Sequence, residues 1–317
     1  MEKSENKKTL YTNRLFVSAI AVLCTMLWGT AFPAIKIGYN NFRITAANIP
    51  SQLMFAGARF LLAGIIVLAA GFVISSDGSQ KPLLKKGDVF PISVLSFFQT
   101  YGQYLFLYIG IVQTSGTRSS LYTSVAAFTS VLLSAVVFRS DNLNLRKICG
   151  CFIGFAGIFI MLSEKDNGGM SLWGDGLVIF SNMFGGIGNV ISKKINVGRT
   201  AAQVAGWQLT LGGIALILTG LILGGSLVFY DMSCFLILVY LGTMAGTAFL
   251  LWTMLLFHNP VSRVAVYNLL IPVFGTMWSG IFLGENIFTI QNLLSLMFVC
   301  SGIFLVNVNI SKLRKSK

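Results

Sequence analysis

Several polar side chains of this sequence stand inside long apolar stretches, where a polar group is costly enough to need a reason. Gln99 and Gln103 are four residues apart, and Tyr101, Tyr104 and Tyr108 follow at spacings of three and four; each set falls on one side of a helix. Together they would give that helix a partly polar, aromatic side, able to hydrogen-bond a small solute and stack against it. Trp28, Tyr122, Asn182, Asn189, Tyr267 and Asn268 offer the same chemistry from other apolar stretches. The competing use of each is hydrogen bonding between helices, worth about 0.6 to 2 kcal/mol per contact, and spacing alone leaves both readings open.

Arg59 is the outstanding ionised group. It can act as counter-charge for an anionic solute such as a carboxylate, snorkel toward an interface, or pair with a helix C-terminus; the structural roles are the expectation. Pro33 and Pro272 interrupt apolar stretches. Each removes a backbone hydrogen bond and kinks a helix, giving either gating points or simple packing bends.

Bond-making chemistry is poorly provided for. His258 is the one histidine, and Asp88 and Asp175 fall where helices begin and suit the dipole there. An enzyme would need a convergent nucleophile and base or a metal cluster, so none is expected, and neither is a metal or other cofactor. No phosphate-binding loop for ATP is present. The cysteines number five, an odd count inside apolar stretches, which implies no disulfide framework.

The elements that must position these residues follow from composition. Hydrophobic residues make up 55% of the 317, charged ones 10%, and mean hydropathy is +0.78. A soluble exterior commonly needs about a quarter charged residues, so this chain cannot clothe one. Ten apolar runs lie near 15–37, 53–74, 89–112, 119–138, 147–163, 174–191, 202–223, 234–257, 261–283 and 288–309. Most reach the roughly 18 to 20 residues that cross a bilayer as a helix, and none alternates like a barrel strand. The expected fold is an all-α membrane protein of ten transmembrane helices. The first run follows basic residues as a signal peptide would. It is too long for one and lacks a small-x-small cleavage site, so it reads as a retained helix.

Most of the 23 basic residues fall on one side of that arrangement. Lys3, Lys7, Lys8 and Arg14 precede the first run. Lys81, Lys85 and Lys86, then Arg139, Arg146 and Lys147, then Lys193, Lys194 and Arg199, then Arg263 occupy alternate connections, and Lys312, Arg314, Lys315 and Lys317 end the chain. Arg43, Arg118 and Lys165 fall on the other side. The positive-inside bias places both termini in the cytoplasm of a cell (inner or plasma) membrane. It also accounts for the net charge of +13 through topology and anionic lipid, so nucleic acid is not an expected partner.

The two halves echo each other. Ala156–Phe159 (AGIF) recurs as Ser301–Phe304 (SGIF), and the same offset pairs Thr117–Arg118 with Ser262–Arg263 and Tyr122 with Tyr267. Leu27–Gly29 (LWG) aligns with Met183–Gly185 (MFG). Five helices per half means that the second copy enters from the opposite face, an inverted repeat of the kind secondary transporters use. The expected organisation is a tail at 1–14, a first repeat at 15–163, a second at 174–309 and a basic tail at 310–317.

WGTAFPAIKIG at Trp28–Gly38, ARFLLAGIIVLAAG at Ala58–Gly71 and the long stretch Ala245–Ile287, with Pro272 and Gly284–Glu285, resemble the EamA-type transporters of the drug/metabolite transporter superfamily. Ala127 stands where a first-repeat proline would match Pro272, and Asp141 replaces the usual Glu. The resemblance implies a secondary transporter moving a small polar metabolite, an amino acid or related compound, by alternating access, with export as the expected direction. A multidrug or organic-cation exporter is the alternative within the superfamily; a membrane enzyme or a scaffold is the alternative outside it. The expected partners are a small-molecule solute and the lipid bilayer. Glycine pairs such as Gly242 and Gly246 suit close helix contact within one chain or across a homodimer.

Overall fold

A computed structural model of the chain describes residues 11–45, 47–75, 80–111, 122–138, 144–162, 172–283 and 290–307. Among these residues all regular structure is helical. Arg118, Arg139, Asp141, Lys165, Gly284, Glu285, the N-terminal Lys3, Lys7 and Lys8 and the C-terminal basic cluster lie outside the described residues.

The helices begin where side chains can take up free backbone donors. α1 (Arg14–Asn41) is capped by Asn13, whose side chain accepts from the N–H groups of Leu15 and Phe16. α2 (Ile49–Ile74) is capped by Asn48, with Pro50 in its first turn, where its missing N–H costs nothing. α3 runs in three pieces, Lys86–Ser96, a π-helical turn Phe97–Gly102, and Gln103–Ile111. α4 (Val125–Val137), α5 (Leu145–Leu162) and α6 (Leu172–Lys194) follow. Thr200 caps α7 (Ala201–Ile222) and Asp231 caps α8 (Met232–His258). α9 comprises Val261–Ala265, a 3-10 turn Val266–Leu269 and Leu270–Leu283, and α10 is Ile290–Asn307.

Measured by length and apolarity alone, α1, α2, α7, α8 and the stretch Val261–Phe282 of α9 suffice to cross a membrane. α4 and Leu293–Asn307 are shorter apolar helices. Large apolar side chains point outward along them, among them Ile65, Leu218, Leu221, Phe235, Phe298 and Phe304. An outer surface so apolar is a liability in water and matches a hydrocarbon solvent.

Two helix pairs form the tightest contacts, α2 with α7 and α5 with α10. Around them α1 packs on α8 and α9, while α6 packs on α3 and α4; α8 also lies against α2, and α7 against α3. Glycine makes the paired contacts close. A Cβ on Gly57 would come within 2.7 Å of the Gly213 carbonyl oxygen, and one on Gly150 within 2.8 Å of that of Gly302. Without hydrophobic gain between helices in lipid, such close approach and its dispersion energy hold the bundle together.

Candidate solute-binding site

Arg59 lies roughly 15 Å along α2 from Ile49, at a rise of 1.5 Å per residue. It does not snorkel: 4% of its surface is exposed. Its guanidinium carbon sits 4.5 Å from the centre of the Phe60 ring and 5.4 Å from that of Tyr104 in α3. The Phe60 and Tyr104 rings are 4.5 Å apart, and Tyr108 stands a helical turn further along α3, 6.4 Å from Tyr104. Phe249 of α8 meets Phe60 edge-on at 6.3 Å, and Trp28 of α1 meets Phe249 at 5.4 Å and Trp252 at 5.1 Å. Tyr39, near the end of α1, packs on the same cluster. Helices from both ends of the sequence therefore build one aromatic wall around a cation.

Three polar atoms of this group are buried without a hydrogen-bond partner: Arg59 Nε, Trp28 Nε1 and the Tyr39 hydroxyl. Buried polar groups in folded proteins are nearly always satisfied, and Arg59 is the charged one among those that are not. No carboxylate among the described residues reaches Arg59, nor does a helix C-terminal carbonyl bond it. The arginine ion pair that the described residues do form is Arg199 Nε with Asp88 Oδ1, 2.9 Å, at a far helix end.

Asn189 of α6 organises a second cluster. Its Oδ1 accepts from Gln99 Nε2 at 3.2 Å and Trp252 Nε1 at 3.0 Å, and its Nδ2 donates to the Ser130 hydroxyl at 3.1 Å. Every member is buried, so α3, α4, α6 and α8 are pinned at one point. The adjoining Thr100 hydroxyl donates to Gln208 Oε1 of α7, 2.6 Å. The π-helical turn of α3 carries both Gln99 and Thr100, the kind of irregularity that often marks a functional place.

The sequence candidates thus divide. Tyr104 and Arg59 meet directly, and Trp28 joins them through Phe249. Gln99 and Asn189 bond each other. Gln103 lies over Gly185 of α6, where an added Cβ would meet its amide at 2.9 Å; its own helix therefore turns the glutamines toward α6, while Tyr104 meets Phe60 of α2 and Tyr101 accepts from Thr219 of α7 at 3.3 Å. Asn182 is buried and donates to Val178 O of its own helix at 2.8 Å. Tyr267 pairs its hydroxyl with Ser18 at 2.6 Å, while Asn268 Oδ1 is buried without a partner. Tyr122 is half-buried just before α4, and Pro33 and Pro272 are buried within α1 and α9.

Sequence reasoning missed Tyr39, Phe60, Phe249 and Trp252. Trp252 and Tyr39 carried a signal, an indole N–H and a phenolic O–H that seek partners when buried. The phenylalanines had none, being indistinguishable from lipid-facing neighbours. Among the described residues no three His, Cys, Asp or Glu side chains gather as a metal site.

Comparison with known proteins places this geometry in context. The profile of the EamA-like transporter family matches residues 15–163 and 172–308. A probable amino-acid metabolite efflux pump of Escherichia coli K12 is 28% identical, over 94% of this chain and 96% of its own. The similarly named protein of Salmonella typhimurium LT2 is 27% identical over 90% and 93%, and the uncharacterized transporter YvbV of Bacillus subtilis 168 is 25% identical over 92% and 91%. A crystal structure at 18% identity shares the fold, with a TM-score of 0.76 over 96% of this chain and all of that one.

Proposed function

The chain belongs to the EamA-like transporter family, and from that premise we propose that it is a secondary transporter exporting an amino acid or related small metabolite by alternating access. It is a multi-pass membrane protein, with several helices able to cross a bilayer. The observation that carries the proposal is the aromatic wall of Trp28, Phe60, Tyr104 and Phe249, built between helices and holding buried donors, Arg59 Nε and Trp28 Nε1, that no group among the described residues satisfies. A small solute with acceptors and an organic body supplies what those donors lack. The relatives that carry the name of amino-acid metabolite efflux pumps support the solute class and the direction.

Alternating access rests on ten crossings in two inverted repeats. Support comes from the packing. Exchanging each helix for the one five later turns α1 on α8 into α6 on α3, α1 on α9 into α6 on α4, and α2 on α8 into α7 on α3, all of which occur. α2 with α7 and α5 with α10 map onto themselves, as helices astride a two-fold axis must. Orientation is supported by charge. Arg14, Lys81, Lys85, Lys86, Arg146, Lys147, Lys193, Lys194, Arg199 and Arg263 all fall at the end where α1, α3, α5, α7 and α9 begin, against Lys36 and Arg43 at the other. That end is cytoplasmic by the positive-inside rule. Asp88, Asp175 and Asp231, the acids among the described residues, all stand at helix starts. Exchange or facilitated export fits this better than proton coupling through a buried acid.

The test is thermal stability of the purified protein against amino acids, nucleosides, sugars and organic cations, since a ligand of the folded state raises its apparent stability. Stabilisation by amino acids is the expected result. Stabilisation by organic cations alone would replace this reading with a multidrug exporter.

A further inference from the structure

We infer that Arg59 is the anion-reading group of the site, and that the exported solute must present a free carboxylate to it. The inference rests on the transport reading above and specifies its substrate class. A charged guanidinium taken out of water is strongly disfavoured unless something answers it. Here 96% of Arg59 is out of solvent, its Nε is buried without an acceptor, and no carboxylate among the described residues approaches it. Phe60 and Tyr104 attract the cation through their ring faces, but ring faces leave the in-plane N–H groups unanswered. That edge is the fork which takes a carboxylate through two parallel hydrogen bonds. A structural arginine would be expected to spend Nε on protein; among the described residues this one finds no acceptor for it.

The surroundings select among anions. Trp28, Phe60, Tyr104 and Phe249 present apolar ring surface around the charge, suited to the carbon body of an organic acid and useless to an inorganic ion. Trp28 Nε1, which reaches the group through Phe249 and Phe60, is a further buried donor without a partner. With one fixed positive charge and no acid among the described residues to offset it, the site also repels organic cations. An amino acid enters through its carboxylate, and its carboxamide or methyl ester, which keeps size and ammonium but loses the anion, is refused.

The test compares the twenty common L-amino acids with their carboxamides and methyl esters, and with sodium chloride, for stabilisation of the purified full-length protein, wild type, Arg59→Lys and Arg59→Gln. The expected result is at least one amino acid binding some thirty-fold or more tighter than its amide. That preference should weaken in Arg59→Lys and vanish in Arg59→Gln. Without solute, Arg59→Gln should melt at or above the wild-type temperature, because it removes an uncompensated buried charge; an arginine with a structural partner would give a lower one. Equal binding of acid and amide, or an acid preference surviving in Arg59→Gln, overturns the inference while leaving transport standing. Stabilisation by chloride alone overturns it as well, in favour of an inorganic anion. No response to any amino acid or derivative defeats both this inference and the amino-acid export reading beneath it.

Discussion

Gly57 and Gly213 face each other reciprocally. A Cβ on Gly57 would lie 2.7 Å from the Gly213 carbonyl oxygen, and a Cβ on Gly213 would lie 2.8 Å from that of Gly57. The same distance along the chain separates Leu27–Gly29 from Met183–Gly185, the match between the two halves. Such reciprocity is what the proposed two-fold relation between the halves would produce between α2 and α7, and Arg59 lies two residues on from the contact.

Substitution at this contact should therefore be severe. Gly57→Leu is expected to lower stability by at least about 1 to 3 kcal/mol through overpacking. Gly176→Ala is the control: nothing lies within 4 Å of the Cβ it would add in α6, so it should gain about 0.5 to 1 kcal/mol from helix propensity. Melting of the two purified variants in detergent checks both, and equal behaviour would contradict the packing.

Asn189 and Asn182 sit on one helix and predict different costs. Asn189→Ala leaves the buried Gln99 amide, Trp252 indole and Ser130 hydroxyl short of a partner, which should cost about 1 to 3 kcal/mol. Among the described residues Asn182 bonds its own helix backbone alone, so Asn182→Ala should cost well under half of that. Paired thermal melts decide the order.

Asp88 fastens the proposed cytoplasmic ends of α3 and α7. It accepts from Arg199 Nε at 2.9 Å and Gln203 Nε2 at 2.7 Å, and both carboxylate and guanidinium are largely shielded. Asp88→Asn removes the charge while keeping the shape, and is expected to lower stability by about 1 to 3 kcal/mol. The loss should change little with added salt, because a shielded pair is weakly screened.

Orientation has its own check. In a cysteine-free background, Asn40→Cys should react with a membrane-impermeant maleimide added outside intact cells, and Val197→Cys should react only after lysis. Both side chains are exposed, at opposite ends of the helices. The reverse pattern would invert the topology.

The helices were legible because apolar runs and caps are local properties. The run near 53–74 becomes Ile49–Ile74 and that near 234–257 becomes Met232–His258, each extended only to its capping Asn or Asp. The site was legible in part. Arg59 and Tyr104 announced themselves as polar groups in apolar surroundings, yet their meeting depends on how α2 and α3 rotate, which no local pattern records. Gln99 and Gln103 were correctly placed on one side of α3, but that side faces α6, away from the α2 ring that Tyr104 meets. Phe60 and Phe249 were invisible, since a ring that lines a site and a ring that faces lipid are the same residue in sequence.

Flux through reconstituted protein tests the central claim most directly. Proteoliposomes loaded with unlabelled amino acid should accumulate the radiolabelled form by counterflow, saturably, in wild type. Tyr104→Ala and Trp28→Ala should lose at least about ten-fold of that rate while remaining folded and inserted, a loss of roughly 1.4 kcal/mol or more in transition-state terms. Counterflow that is absent from wild type for every amino acid, or undiminished in both variants, would contradict the account.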